Sequence, residues 1–240
     1  MKRVLYLIPL YNKESVIEHT IKSLKKFSID KPNSHFLIVE NGSTDNSLLE
    51  VNKLINDDEK FSLIISKKGL GAAIKAGLKH ISNNFDTCNS LLIITGADLP
   101  FGFSDYENCI LQKDYGYTHI FLGSKSHKQT IINRKISRIL FSKFFNFLLK
   151  ILFKIKIGDT QGSFLIDLQN VNINKLIPTS IGFFATAEIC IRAIQENYFI
   201  SEIPVTQQYS IEDKSTVKIF QDTLGILREM FAFKSSFVNK

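Results

Sequence analysis

Residues 91–101, Leu-Leu-Ile-Ile-Thr-Gly-Ala-Asp-Leu-Pro-Phe, hold an uninterrupted aliphatic run that stops at a glycine and is followed by a single carboxylate, Asp98. Large apolar residues at successive positions, rather than alternate ones, describe a strand covered on both faces, the kind found in parallel sheets. In open α/β sheets ligands gather beyond the carboxyl ends of the strands. Asp98 is therefore expected where chemistry takes place, although taken alone it reads first as a turn aspartate capping the next helix.

The rest of the chain repeats the theme. Val4 to Pro9, His35 to Glu40, Phe61 to Ile65 and His119 to Gly123 are further apolar strand segments. Between them Val16, Ile17, Ile21 and Leu24 keep helical spacing in a segment from Ser15, read as the N-cap, to Lys26. Ser47 to Ile55 is a short helix, and Gly69-Leu-Gly-Ala-Ala-Ile-Lys-Ala-Gly77 opens another that runs to Ile81. This alternation predicts an α/β fold with a mostly parallel sheet, right-handed crossovers and helices on both faces. A strand after Gly158, a helix from Ala185 to Glu196, a strand from Ile200 to Val205 and an amphipathic C-terminal helix from Val217 to Phe233 complete the chain. No internal repeat or low-complexity linker interrupts it.

A chain of 240 residues with 44% hydrophobic content can bury a good core. Its three cysteines, Cys88, Cys109 and Cys190, have no paired spacing, which argues against a disulfide framework or a cysteine zinc site and suits a reducing compartment. The basic, then apolar N-terminus is too short in its apolar run for a signal peptide and reads as a first strand. The net charge of +7 is local: nine basic residues and no acid lie between Lys125 and Gly158, and removing those nine leaves the remainder at −2. Within this segment Ile139 to Ile157 is strongly apolar yet carries a lysine every few residues. A spanning helix tolerates few charges, so the reading is an amphipathic helix in a membrane interface, or else a basic helix packed on the protein's own core. Interleaving with long aliphatics, and the lack of a recognition motif, argue against nucleic acid.

Three polar clusters follow successive strands and converge on one rim: Tyr11-Asn-Lys-Glu14, Glu40-Asn-Gly-Ser-Thr-Asp45 and Gly96-Ala-Asp98. Together they offer a stacking ring, hydrogen-bonding groups for a base and ribose, and a carboxylate for a metal bridging phosphates. These residues resemble the family 2 glycosyltransferases of the GT-A fold. Within that family the chain looks like the subgroup that transfers a sugar from a nucleotide diphosphate to a polyprenyl or dolichyl phosphate. Pro9-x-Tyr-Asn-x-Glu14 is similar to the family's opening block, Glu40 to Asp45 to its Asp-Asp-Gly-Ser-Thr-Asp block, and Lys68-Gly-Leu-Gly-Ala-Ala73 to its Gly-rich segment. Asp159-Thr-Gln-Gly-Ser-Phe164 is close to the Asp-Thr-Gln-Cys-Gly-Phe signature of dolichyl-phosphate glucosyltransferases.

The resemblance implies a GT-A-like sheet whose residues 1–124 bind a UDP- or GDP-sugar and whose residues 125–240 face acceptor and membrane. Pro9, Tyr11, Glu14 and Glu40 would line the nucleoside pocket, with Gly42, Ser43 and Gly71 in its loops. Asp98 would be the second aspartate of the family's Asp-x-Asp and hold Mg²⁺ or Mn²⁺. Lys125, Arg134 and Arg138 would grip donor and acceptor phosphates, and Lys214 and Ser215 would belong to a loop closing over the donor. Gly96 stands at the first aspartate and Pro100 at a further polar position, so two expected metal ligands are missing and the metal site is weakened. The expected activity is inverting transfer of a hexose to a polyprenyl phosphate at the cytoplasmic face of a membrane by a peripheral enzyme. A saccharide hydroxyl acceptor is the alternative and would need a carboxylate base, Asp159 or Glu188. A weakened homologue that only binds nucleotide sugar is the third reading.

Overall fold

The computed structural model describes residues 2–112, 116–132, 136–207 and 219–238. In chain order the elements are β1 (Arg3–Leu10), α1 (Glu14–Asp30), β2 (Ser34–Glu40), α2 (Ser47–Ile55), β3 (Phe61–Ile65), α3 (Leu70–Asn84), β4 (Ser90–Ile94), α4 (Ser104–Ile110), β5 (Ile120–Gly123), α5 (Ile136–Phe153), β6 (Ser163–Asp167), α6 (Ile173–Leu176), α7 (Ala185–Gln195), β7 (Ile200–Ile203) and α8 (Ile219–Val238). Among the described residues seven strands form one sheet in the order β3-β2-β1-β4-β6-β5-β7. β1 to β4 pair in parallel, β5 pairs in parallel with β7, and β6 runs antiparallel between β4 and β5. The α/β fold with a mostly parallel sheet expected from the sequence is thus present. Because β6 joins β4 to β5, it is continuous across the boundary at residue 124.

The aliphatic run of β4 is buried at every position, and β1 is buried from Val4 to Leu10. The period of two divides each strand between two cores. Val4, Tyr6, Ile8 and Leu10 face α1 and its neighbours, with Ile17, Ile21 and Leu24. Leu5, Leu7, Leu92 and Ile94 face α3, α6 and α7, with Ile74, Leu78 and Ile189. A third cluster joins Phe145 and Leu149 of α5 to Phe184, Ala187 and Ile191 at α7 and to Ile226, Met230 and Phe233 of α8.

Several boundaries differ from the sequence reading. α1 starts at Glu14, one residue before the expected cap, because partners outside the helix satisfy its first turn: the Lys13 N–H donates to Ser47 Oγ (2.7 Å) and the Glu14 N–H to Asp45 Oδ2 (3.1 Å). α5 stops at Phe153 rather than Ile157, because Lys154 adopts a left-handed backbone (φ 59°) that turns the chain and buries Ile155. The short helices α4 and α6 have no counterpart in that reading.

Cys109 and Cys190 are buried and Cys88 is exposed. Burial, with Asp105 nearby, pushes the Cys109 thiol up to about 12 and burial raises Cys190 as well. Since the thiolate is the reactive form, iodoacetamide at pH 8 should label Cys88 alone in the native protein and all three thiols after denaturation, as read by intact mass.

Candidate active site

The chain turns back across the sheet between β1 and β4: β2 and β3 extend to one side of β1, whereas β4 lies on the other. At such a switch point the loops leaving neighbouring strand ends diverge and open a crevice. A cleft of about 490 Å³ lies there, lined by Pro9 near the end of β1, Tyr11 and Lys13 after it, Asn41 after β2, Lys68 to Leu70 after β3, and Gly96 to Asp98 after β4, with Phe183 closing one side. All four strands end at this edge, so their loops meet by topology and not by sequence proximity.

The first two loops are laced together. Asn12, in a left-handed conformation (φ 50°), accepts from the Thr44 N–H at 2.7 Å while its own N–H donates to Ser43 Oγ at 3.1 Å. Glu14 accepts from the backbone and side-chain amides of Asn46, at 3.1 and 2.8 Å. Glu40 is buried and accepts from the Ser43 N–H within its own loop. Asp45 accepts from Ser47 and from the Glu14 N–H. Burial alone would raise its carboxyl, but these hydrogen bonds outweigh burial and hold it below its usual range. Glu14, Glu40 and Ser43 therefore shape the rim, whereas Pro9, Tyr11 and Asp98 face the cleft. Gly42 has φ 90°, and a Cβ on it would sit 3.3 Å from Lys68 Cβ, so its bareness lets Lys68 approach. The Lys68 ammonium lies 5.0 Å from the Tyr11 ring centre, a cation–π contact at the mouth of the cleft.

The third wall rests on glycine. A Cβ on Gly71 would meet the Ser180 carbonyl oxygen at 2.2 Å, and one on Gly69 the Ile181 carbonyl oxygen at 2.3 Å. The bare start of α3 therefore packs directly beneath residues 180–181, and the Ala72 N–H donates to the Ile181 oxygen at 3.2 Å. Two carboxylates brace this loop from behind. Glu188, fully buried, accepts from the Thr179 and Ser180 N–H groups (2.8 and 2.9 Å) and from Arg192 (2.7 Å). Glu229 of α8 accepts from the Ile181 and Gly182 N–H groups at 3.1 and 2.7 Å. Phe183, carried by this loop, lines the cleft on one side and packs on the third cluster on the other.

Asp159 and Lys125 face one another away from the cleft lining. The Lys125 N–H donates to Asp159 Oδ2 (2.9 Å), its ammonium reaches the same oxygen (3.2 Å) and the Gln161 carbonyl (2.8 Å), and Asp159 Oδ1 accepts from Gln161. Arg134, Lys214 and Ser215 lie outside the described residues, as does the side chain of Arg138. Lys13, Asn41, Lys68 and Phe183 were not singled out in sequence. Lys13 and Lys68 nevertheless sit inside motifs quoted for other residues, and a basic residue within a strand-end motif is the signal that would have found them.

Asp98 lines the cleft, and its Oδ2 lies 3.2 Å from the Lys13 ammonium. Gly96 brings no ligand, and among the described residues no group of three or more His, Cys, Asp or Glu converges to hold a metal ion. A divalent ion of the Mg²⁺ type needs oxygen ligands around it. Among the described residues the one carboxylate lining this cleft, Asp98, already shares its charge with an ammonium, so their donor set does not fit a resident divalent cation.

A cleft over the switch point of a mostly parallel sheet, with an antiparallel strand inserted beside it, defines a GT-A-type glycosyltransferase fold. The model of glycosyl transferase family 2 matches residues 6–171, and the protein belongs to that family; it is a glycosyltransferase. Solved structures with similar folds include glucosyl-3-phosphoglycerate synthase from Mycobacterium tuberculosis in complex with UDP, at TM-score 0.65 and 10% identity over 98% of this chain and 80% of that one. The same enzyme with Mn²⁺, UDP and phosphoglyceric acid matches at TM-score 0.67 and 11% identity, over 97% and 78% of the two chains. It has also been solved with Mg²⁺ and UDP, at TM-score 0.64 and 10% identity over 96% and 79%.

Proposed function

We propose that this glycosyltransferase moves a hexose from a UDP- or GDP-sugar to a polyprenyl phosphate at the cytoplasmic face of a membrane, with inversion. Residues 1–124 hold the donor and residues 125–240 present the acceptor and meet the membrane. The observation that carries the lipid acceptor is α5. One face of α5 packs in the third cluster through Phe145 and Leu149, while Ile136, Leu140, Phe144, Phe147 and Ile151 remain 52–76% exposed. Their spacing of three and four residues puts them in one solvent-facing stripe, and the exposed Lys143, Lys150, Lys154 and Lys156 accompany it. An apolar face beside ammonium groups suits an anionic lipid surface. No helix among the described residues is long and apolar enough to cross a membrane. Through Phe183 the cluster that seats α5 also forms a wall of the cleft, a continuity that supports delivery of a lipid-borne acceptor to the donor side.

The chemistry supports a phosphate acceptor. A phosphate oxygen is already ionised near neutral pH and attacks the anomeric carbon without a base, while a sugar hydroxyl needs one. The two carboxylates expected to serve as base, Asp159 and Glu188, both have their oxygens committed to N–H and cationic donors. In this reading Arg134, Arg138, Lys214 and Ser215 contact phosphates.

The full chain, incubated with UDP- and GDP-sugars and with short polyprenyl phosphate in anionic vesicles, phosphoglyceric acid or an oligosaccharide, should release nucleoside diphosphate with the polyprenyl phosphate. Release with phosphoglyceric acid alone would move the acceptor to the soluble type held by the mycobacterial enzyme. Phe144→Ser combined with Phe147→Ser should lower co-sedimentation with anionic vesicles about tenfold or more, since burying a phenylalanine contributes roughly 1.5–3 kcal/mol. Wild-type sedimentation should fade at high salt.

A further inference from the structure

We propose that Lys13, and not a divalent cation, neutralises the diphosphate of the donor. This rests on the nucleotide-sugar reading of the cleft and replaces the expectation that Asp98 holds Mg²⁺ or Mn²⁺.

The ammonium of Lys13 lies in the cleft 3.2 Å from Asp98 Oδ2, with only 12% of its side chain exposed. Its backbone is fixed from both sides: the N–H donates to Ser47 Oγ at 2.7 Å, and the carbonyl accepts from the Val16 and Ile17 N–H groups at 3.0 and 2.9 Å. The anchored backbone fixes where this flexible side chain starts, and the contact with Asp98 fixes where its ammonium ends. Lys68 adds a second ammonium at the rim, where it sits over Tyr11.

The turn after β4 is shaped for this arrangement. With Gly96 bare, the Asp98 carboxylate occupies the space beside it. A Cβ at position 96 would come within 2.7 Å of Asp98 Oδ1, so a second carboxylate there would force the first to swing away. Pro100 offers no side-chain oxygen. Among the described residues a divalent ion on Asp98 would meet one protein carboxylate and, beside it, the repulsion of the Lys13 ammonium. A lysine ammonium, by contrast, is a compact point charge well suited to phosphate oxygens.

During transfer the bond between the anomeric carbon and the β-phosphate oxygen breaks, and its electron pair stays on that oxygen. The acceptor phosphate oxygen forms the new bond to the same carbon, so nucleoside diphosphate leaves and a glycosyl phosphate forms. Lys13 meets the charge that develops on the departing diphosphate. Asp98 is then the ammonium's partner in the cleft until the phosphates arrive and displace it.

The test is calorimetric titration of UDP and of GDP into the full chain, in EDTA and in Mn²⁺, with wild type, Lys13→Met and Asp98→Asn. One nucleotide should bind wild type with affinities in the two buffers that agree within about threefold. Lys13→Met should weaken metal-free binding about tenfold or more, the worth of a charged hydrogen bond. Asp98→Asn, nearly isosteric and thus expected to fold, should bind at least as tightly as wild type, because the ammonium is released to the phosphates. Binding that requires Mn²⁺ and is lost in Asp98→Asn would overturn the lysine proposal while leaving the donor reading intact. Binding of neither nucleotide in either buffer overturns both.

Discussion

Gly71→Ala should lower nucleoside diphosphate release about a hundredfold and destabilise the protein by about 1–3 kcal/mol, the range for overpacked sites. Local propensity argues the opposite, because Gly71 lies in the first turn of α3 and alanine is better than glycine in a helix by about 1 kcal/mol. Sterics win because of what the methyl would strike. The Ser180 carbonyl oxygen would lie 2.2 Å from it and Ala185 Cβ 2.7 Å away, and neither is the end of a side chain that can swing aside. The loop must lift as a unit. That breaks the Ala72 to Ile181 hydrogen bond and carries Phe183 out of the cleft wall. A displacement of about 1 Å in a site that works by positioning can cost a hundredfold in rate. Gly225→Ala on α8 is the control: a Cβ there meets nothing within 4 Å, so melting temperature and turnover should hold or improve. If Gly71→Ala retained wild-type turnover and UDP affinity, the close seating of α3 under this loop would have no role in the site.

Glu188→Ala should lower stability by about 3 kcal/mol and the melting temperature by roughly 6–12 °C for a chain of this size. The carboxylate is fully buried, and its removal leaves the Thr179 and Ser180 N–H groups without their acceptor and the Arg192 guanidinium without its partner. Burial alone would raise the Glu188 carboxyl, but hydrogen bonds from Ser180, Thr179 and Arg192 outweigh it and hold the group below its ordinary value of 4.5. A carboxylate whose folded value is depressed contributes stability that is fully present above the unfolded value and disappears as pH falls through the folded one. The gap in melting temperature between wild type and Glu188→Gln should therefore be constant above pH 4.5 and narrow below it. Turnover separates bracing from catalysis. Assayed well below its melting temperature, Glu188→Gln should keep kcat within about threefold, whereas loss of a general base costs roughly 10²–10⁴-fold. A collapse of kcat in a folded Glu188→Gln variant, with loss of the acid limb of the pH profile, would restore Glu188 as base and a hydroxyl as acceptor.

Much of the fold was legible because apolar runs and turn-rich segments are local signals. The unbroken Leu91 to Ile94 run marked a doubly covered strand, and β4 is buried throughout. Helix spacing at Val16, Ile17, Ile21 and Leu24 marked the face of α1 that packs in the core. Boundaries were less legible where the deciding partner is remote, as at the start of α1, where Ser47 and Asp45 take the place of a local cap. α5 shows the limit of pattern reading in another way. Its two sequence readings were a membrane-surface helix and a helix packed on the core; its Phe145 side packs while its Phe144 side stays exposed.

The site divides along the same line. From sequence alone, polar loops follow β1, β2 and β4 and gather at one edge, because parallel strands covered on both faces end together; the reversal between β1 and β4 that opens the cleft came only with the structure. Which side chains in those loops face the cleft was settled only by tertiary structure. Glu14 and Glu40 turn to hydrogen-bond the loops, while Lys13, 85 residues from Asp98 in the chain, meets that carboxylate inside the cleft. Phe183 arrives because bare glycines at 69 and 71 let a loop more than a hundred residues away settle upon them. Hydrophobic period and turn chemistry act over a few residues and can be read along a chain. The choice of partner for a buried charge depends on what the fold brings within about 3 Å, and no local pattern encodes it.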